Sequence, residues 1–226
     1  MNVSLRACLT AEFFGTAFLL AAVVGSGVMG ERLSGGNVAI ALLANSIATG
    51  TALVALILAF GSISAHFNPA VTVADAMRGG VSWRQVPAYI GSQLAGAFVG
   101  VATAHAMFGL PVFFASHHAR NGGSQVLSEF VATFGLLLVI WGCARTRASA
   151  VPFAVGAYIT AAYWFTASTS FANPAVTLAR AATNTFAGIR LGDAPAFIVA
   201  QFAGATAATL CCRWLITAQS SATDCF

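Results

Sequence analysis

The pentapeptide Asn-Pro-Ala-Val-Thr occurs twice in this chain, at residues 68–72 and 173–177. Each Asn can cap a helix, and each Pro suits the first helical position, where its missing N–H costs nothing. Both copies are embedded in apolar sequence rather than in polar loops. A helix that begins inside a membrane leaves its first N–H groups unpaired, which is tolerated only against protein or a water-filled path. The repeated motif therefore predicts two short half-helices that line a polar route through a bilayer.

Composition also places the chain in a lipid bilayer. Of its 226 residues, 58% are hydrophobic and 7% are charged, whereas a soluble domain carries roughly 25% charged residues. All ten basic residues are Arg, spread over segment ends and loops, so the net charge of +4 does not predict nucleic-acid binding. The five cysteines show no metal-binding spacing, and no metal or cofactor is predicted. We expect reduced thiols at Cys8, Cys143, Cys211, Cys212 and Cys225.

Six apolar runs are long enough to span a membrane, which takes about 20 residues. They cover roughly 8–29, 38–60, 84–108, 126–145, 150–168 and 194–216. The first motif lies between the second and third runs, and the second motif between the fifth and sixth. The predicted fold class is an all-α membrane protein of six transmembrane helices and two re-entrant half-helices. We predict a single channel domain over residues 1–226.

Two further segments repeat besides the motif. Ala11-Glu12-Phe13 matches Ser128-Glu129-Phe130, and residues 89–97 match residues 197–205. The offsets are similar, from 105 for the motif (173 − 68) to 117 for the glutamates (129 − 12). They indicate a duplicated three-span unit, with repeat one at about 1–110 and repeat two at about 124–216. Because three is odd, the second copy must cross in the opposite sense, which places the working site near the midplane, between the repeats.

Arginine bias predicts the orientation. With both termini in the cytoplasm, the inner side carries six arginines and the outer side carries four. The inner set is Arg6, Arg78, Arg84, Arg145, Arg147 and Arg213, and the outer set is Arg32, Arg120, Arg180 and Arg190. This excess has the sign of the positive-inside rule. We predict a multi-pass protein of the cell (inner) membrane.

The motifs predict how a solute would be selected. Two half-helices of about ten residues cover about 15 Å each, so that tip to tip they span a hydrocarbon core of about 30 Å. Their positive dipole ends then point at the midplane. The side-chain oxygens of Asn68 and Asn173 can accept from their own helices, which leaves each NH₂ group to donate into the pore. A neutral solute can accept these hydrogen bonds, whereas a cation is repelled.

The chain resembles the aquaporin and aquaglyceroporin (major intrinsic protein) family over nearly its whole length. The resemblance rests on residues 11–16, 66–72, 129–133, Gln93 with Gly96-Ala97, and the motif residues Asn68, Pro69, Ala70, Asn173, Pro174 and Ala175. It implies a homotetramer in which each protomer has its own pore. It also implies that Glu12 and Glu129 accept hydrogen bonds from the backbone of the re-entrant loops, with a proton relay as the alternative. His66 is expected to line the pore or brace its loop.

The family's outer constriction is built from four positions, which here are Thr49, Tyr163, Ser170 and Val176. Counting back from Asn173 would replace Tyr163 by Ala161. The family usually has Arg at the position of Val176 and often an aromatic residue at that of Thr49, so we expect a wider and less polar constriction. The alternative is that Tyr163 or a loop refills the space.

Arg180 stands where the family usually has Pro. It is expected to place a charge in the outer vestibule, or to form a surface pair with Glu31 or Asp193. The chain is similar to bacterial members associated with arsenic resistance, some of which lack the constriction Arg.

The predicted function is a passive channel for small uncharged solutes, with no catalytic set and hence no enzyme. Candidate solutes are glycerol, urea, water and metalloid hydroxides such as arsenous acid. One alternative is an ordinary water-selective aquaporin. An ion-coupled secondary transporter would need an ion-coordinating group at the midplane, and a junction or scaffold protein would favour long external loops.

Overall fold

The chain is represented by a computed structural model that describes the backbone of residues 3–223 and, in the last helix, side chains as far as residue 215. Within these residues the secondary structure is entirely helical. The α-helices are α1 (Leu5–Leu33), α2 (Val38–Phe60), α3 (Pro69–Met77), α4 (Val86–Met107), α5 (Gly123–Thr146), α6 (Val151–Phe165), α7 (Pro174–Arg180) and α8 (Ala194–Thr223). Single 3₁₀ turns at Ala148–Ala150 and Leu191–Asp193 precede α6 and α8.

The predicted fold class is confirmed. Six helical segments in the described part of the chain are long and apolar enough to cross a membrane: α1, α2, α4 and α5, and α6 and α8 counted together with the 3₁₀ turns that precede them. The largest differences from the predicted bounds are at α8, which ends at Thr223, and at α1, which ends at Leu33; α6 ends earlier than predicted, at Phe165. Residue Thr166 is extended, with φ −111° and ψ 139°, because the chain turns there into the loop before the second motif.

Small residues let the long helices approach closely in pairs. A Cβ atom at Gly96 of α4 would overlap the Phe13 carbonyl of α1, and a Cβ atom at Gly204 of α8 would overlap the Phe130 carbonyl of α5. Backbones that touch in this way associate through packing, because lipid offers helices no hydrophobic driving force. The two pairs, α1 with α4 and α5 with α8, form the flanks of the molecule.

The half-helices α3 and α7 lie inside the bundle of long helices. Each packs against α4 and α8, and the two helices touch each other. The long helices also carry exposed apolar side chains, among them Phe18, Leu58 and Val199. Apolar exposure of this kind is suited to contact with lipid.

Cys8, Cys143, Cys211 and Cys212 are free thiols in this structure. Cys225 lies outside the described residues.

Candidate functional site

The site is centred on the two asparagines that begin the half-helices. The Asn68 side-chain oxygen accepts from the Ala70 N–H at 2.9 Å, and that of Asn173 accepts from the N–H groups of Ala175 and Val176 at 3.0 and 3.2 Å. Each side chain therefore caps its own helix, as the sequence predicts, and Pro69 and Pro174 occupy the first helical positions.

The amide groups of the two asparagines cross between the loops. Asn68 Nδ2 donates to the Ala172 carbonyl at 2.7 Å, and Asn173 Nδ2 donates to the Phe67 carbonyl at 2.7 Å. Since an amide NH₂ carries two hydrogens, one hydrogen ties the loops together and the other remains. Both asparagines line the central cavity. The prediction that the whole NH₂ group is left for the pore is therefore corrected to one N–H from each asparagine.

An unusual backbone conformation directs the two carbonyls toward the opposite asparagine. Phe67 and Ala172 have φ angles of 50° and 48°. Non-glycine residues in this left-handed region cost about 1–2 kcal/mol each, so the surrounding structure must hold them there.

Glu12 and Glu129 hold these residues in place. Glu129 accepts from the N–H groups of Phe171 and Ala172 at 2.9 and 2.8 Å. Glu12 accepts from the N–H groups of His66 and Phe67 at 2.8 and 2.7 Å, and from the Ser64 hydroxyl at 2.6 Å. Both carboxylates are fully buried. They brace the re-entrant loops, as the family resemblance implies.

Two glutamines, whose role was not predicted from the sequence, complete this bracing. Gln93 Nε2 donates to Glu12 and to the Thr72 hydroxyl at 2.7 and 2.9 Å. Gln201 Nε2 donates to Glu129 and to the Thr177 hydroxyl at 2.6 and 2.8 Å. The match between residues 89–97 and 197–205 contained both glutamines and was the signal that could have revealed them.

A cavity of about 680 Å³ runs past the motifs. Its lining includes the two motif asparagines, His66 and all four predicted constriction residues. Those four are Thr49, Tyr163, Ser170 and Val176. The alternative position, Ala161, is exposed and does not line this cavity.

Hydroxyl groups dominate the predicted constriction. Thr49 Oγ1 lies 3.2 Å from the Tyr163 hydroxyl. The buried Ser170 Oγ has no protein hydrogen-bond partner in the described structure. Val176 contributes an apolar wall and is 5% exposed. The four residues can therefore offer a solute hydroxyls as well as an apolar surface.

Arg180 lies at this cavity rather than on the surface. Its guanidinium carbon is 3.4 Å from the ring centroid of Phe171, and its Nε donates to the Ala187 carbonyl. The alternative of a surface pair with Asp193 is wrong, because Arg180 is 2% exposed and Asp193 pairs with Arg190 at 2.9 Å.

Arg120, predicted only as one of the outer arginines, has a further structural role. Its guanidinium donates to the carbonyls of Gly188, Ser168 and Phe186 at 2.8, 3.2 and 3.5 Å, and burial lowers its pKa. It clamps the loop before α7 to the loop after it. The sequence around Arg120 contains no motif or repeat that would predict this contact between the two loops.

The other end of the cavity carries a histidine and a carboxylate. His66 Nε2 lies 3.8 Å from Asp75 Oδ2, and its Nδ1 lies 3.2 Å from the Thr72 hydroxyl. Asp75 also lines the cavity and accepts from the Val81 N–H at 2.8 Å. His66 therefore lines the cavity, and its backbone N–H is held by Glu12.

Comparison with known proteins agrees with this geometry. Residues 2–167 match the family "Major intrinsic protein". The chain belongs to this family, which confirms the resemblance to aquaporins and aquaglyceroporins.

Individual relatives support the same assignment. The chain is 53% identical to "Aquaglyceroporin AqpS" of Rhizobium meliloti (strain 1021) over 212 residues, which cover 93% of this chain and 90% of that protein. It is 39% identical to "Aquaporin NIP1-1" of Oryza sativa subsp. japonica over 66% of this chain and 54% of the relative. The fold is similar to the X-ray structure of the aquaglyceroporin from Plasmodium falciparum, with a TM-score of 0.70 at 23% identity, covering 93% of this chain and 95% of that one.

Proposed function

We propose that this protein is a passive transmembrane channel for small uncharged solutes, with glycerol and metalloid hydroxides such as arsenous acid among them. The observation that carries the proposal is the cavity lined by Asn68 and Asn173, each of which retains one N–H beyond its contact with the opposite loop. Two donors fixed at a junction of positive helix ends suit a neutral solute rich in oxygen lone pairs.

The constriction residues support a solute larger than water. Val176 and Thr49 have short side chains, and hydroxyls of Thr49, Tyr163 and Ser170 line the same cavity. A polyol can exchange hydrogen bonds with these hydroxyls while its carbon backbone passes Val176. The name of the 53% identical relative, an aquaglyceroporin, agrees with this choice.

A water-selective aquaporin is the second candidate. Tyr163 reaches Thr49, and the Arg180 side chain is packed on Phe171. Both side chains occupy space that the short Val176 and Thr49 would otherwise leave open. If they narrow the pore enough, only water fits.

A coupled transporter is less well supported. It would need an ion-coordinating group near the midplane, and the candidate carboxylates are Glu12 and Glu129. Every oxygen of both accepts at least one hydrogen bond from the protein. Buried carboxylates satisfied in this way act as braces.

The cellular setting completes the proposal. We place the protein in the cell (inner) membrane as one channel domain with both termini in the cytoplasm, following the arginine bias. We also propose a homotetramer with one pore in each protomer. Water and urea are further candidate solutes.

Stopped-flow light scattering of proteoliposomes tests the solute class. Vesicles containing the purified protein should take up glycerol and arsenous acid faster than empty vesicles, with urea and water measured in the same series. Water flux without glycerol flux would favour the water-selective candidate.

The passive mechanism is tested with imposed gradients. Glycerol uptake should reach the external concentration and stop there, whether or not a proton or sodium gradient is present. Accumulation above the external concentration, driven by either ion, would favour the transporter.

A further inference from the structure

Arg180 is a buried cation whose hydrogen-bonding capacity the protein leaves largely unused. It is 2% exposed, and its Nε donates to the Ala187 carbonyl. The guanidinium also has a side-chain hydrogen bond with Tyr163, and among the described residues no carboxylate or second backbone carbonyl accepts from it. The residue lines the cavity. The Nη hydrogens that the Tyr163 hydroxyl does not engage are therefore available to a molecule in the pore.

The groups around Arg180 do not neutralise it by direct pairing. Its guanidinium lies over the Phe171 ring, which stabilises a desolvated cation without cancelling the charge. The polar and charged neighbours that act on it are Tyr163, Arg120 and Glu129. The carboxylate oxygens of Glu129 accept hydrogen bonds from the loop backbone and from Gln201. Arg120 adds a second positive charge.

Position on the half-helix explains how Arg180 reaches the cavity. It follows Val176 by four residues in α7, so that the two side chains lie on one face, a turn apart. Both line the cavity, together with Tyr163 and the unpartnered Ser170 hydroxyl. Because Val176 is short and apolar, it neither pairs with the guanidinium nor fills the neighbouring space.

We propose that Arg180 is the cationic hydrogen-bond donor of the constriction, supplied from one helical turn beyond Val176, and that it determines which solutes enter. This rests on the proposed channel function. The guanidinium donates to solute oxygens, while the hydroxyls of Tyr163, Thr49 and Ser170 exchange hydrogen bonds with solute hydroxyls. The ligand class is a small neutral polyhydroxyl compound. The fixed charge excludes cations, since it acts in a desolvated channel.

The test uses proteoliposomes, with radioactive rubidium uptake reporting cation entry and the ratio of glycerol to erythritol flux reporting polyol discrimination. Arg180→Leu should raise rubidium uptake by about tenfold or more, because a charge near the path contributes a barrier of that order. It should also lower the glycerol-to-erythritol ratio. Arg180→Gln keeps a donor without charge, and should raise rubidium uptake with less loss of discrimination.

Two variants separate position from general charge. The double variant Val176→Arg/Arg180→Leu moves the guanidinium back by one turn and should restore rubidium exclusion. Arg32→Leu is the matched control, because Arg32 also lies beside a phenylalanine ring, 5.1 Å from the centroid of Phe108, yet is exposed. It should leave both readouts unchanged.

The outcomes distinguish this inference from the proposed function. Absence of glycerol flux through the wild-type protein would remove the channel function itself. Normal wild-type glycerol flux, with rubidium uptake and polyol ratio unchanged in Arg180→Leu, would overturn the role of Arg180 alone. If Arg180→Leu does not reach the folded state, Arg180→Gln is tested instead, and unchanged rubidium uptake and polyol ratio in that variant would likewise overturn the role of Arg180.

Discussion

The two re-entrant loops, with the half-helices α3 and α7 that follow them, share one framework but carry opposite charges, at Asp75 and at Arg180. We call the ends of the cavity beside α3 and α7 the first and second entrances. In each, a buried glutamate and a glutamine hold the loop, and the motif asparagine reaches the opposite carbonyl. Two residues before the asparagine stand His66 in the first loop and Phe171 in the second, and seven residues after it stand Asp75 and Arg180. The same positions thus hold a histidine beside a carboxylate at one end and an aromatic ring beside a guanidinium at the other.

The two pairs also differ in burial. The His66 and Asp75 side chains are 21% and 23% exposed and lie 3.8 Å apart, whereas Arg180 is 2% exposed and packs on Phe171. Arg180 ends α7, where a cation is favoured by the helix dipole. The same framework can therefore carry a partly exposed pair in the first repeat and a buried cation in the second.

The largest expected effect tests the shared frame. Replacing Glu12 or Glu129 with Gln turns one of the two carboxylate oxygens into an NH₂ group. This group can only donate, and it would face protein donors that now bond to the carboxylate. A buried donor left without its acceptor costs about 1–3 kcal/mol, and each carboxylate oxygen accepts at least one hydrogen bond, so both variants should lose most of their folded yield. Glu12→Gln should be the more severe, because Glu12 accepts four hydrogen bonds and Glu129 three.

Size-exclusion profiles and thermal unfolding in detergent measure both variants. Normal yield and Tm for either one would contradict the bracing role and reopen the proton-relay alternative for that glutamate.

The next effect tests whether the constriction lies at the second entrance. Val176→Arg should reduce glycerol and arsenous acid flux by about tenfold while sparing water, since an added guanidinium narrows the pore and costs roughly 1.4 kcal/mol in passage. Val71→Arg, the equivalent change in α3, is the control. An arginine there lies one turn from Asp75 and can turn toward that carboxylate.

Stopped-flow rates of glycerol and water flux through Val176→Arg and Val71→Arg show at which half-helix the pore restricts solutes. Equal loss of glycerol flux in both would mean that the two entrances restrict solutes alike.

Block by mercurials can show from which side of the membrane a reagent reaches each end of the cavity. Ser170 and Ala65 both precede a motif asparagine by three residues and line the cavity. We expect weak block of the wild-type protein, and strong block once Ser170→Cys provides a reactive thiol. A bulky, membrane-impermeant mercurial added outside oriented vesicles should block Ser170→Cys and spare Ala65→Cys. Block of both cysteine variants from the outside would contradict the expectation that the two positions are reached from opposite sides of the membrane.

The smallest effect is expected at the partly exposed pair of His66 and Asp75. Asp75→Asn keeps an acceptor for the Val81 N–H and removes only the charge beside His66. Partly exposed pairs contribute about 0–1 kcal/mol, so Tm should fall slightly and glycerol flux should stay within about twofold. Thermal unfolding and flux assays measure this, and a loss as large as that of Glu129→Gln would show that the first entrance depends on the pair.

Much of the fold was already determined by local sequence. Long apolar runs predicted all six spans, because a helix in lipid must satisfy its own backbone. The Asn-Pro pairs predicted where α3 and α7 begin, since capping acts within three residues. The family resemblance led us to expect that Glu12 and Glu129 accept hydrogen bonds from the re-entrant loops, and both carboxylates accept from backbone N–H groups there.

Only the tertiary structure decided the contacts among the residues of the proposed constriction. Thr49 meets Tyr163 across 114 residues of chain, and Arg120 reaches Gly188 across 68. The burial of Arg180 depends on Phe171 and on the Ala187 carbonyl, which local periodicity cannot bring together. From sequence, an arginine in place of the usual proline was equally compatible with a surface ion pair. Its surroundings are set by long-range packing, and packing rather than local pattern determines whether a cation faces solvent or the pore.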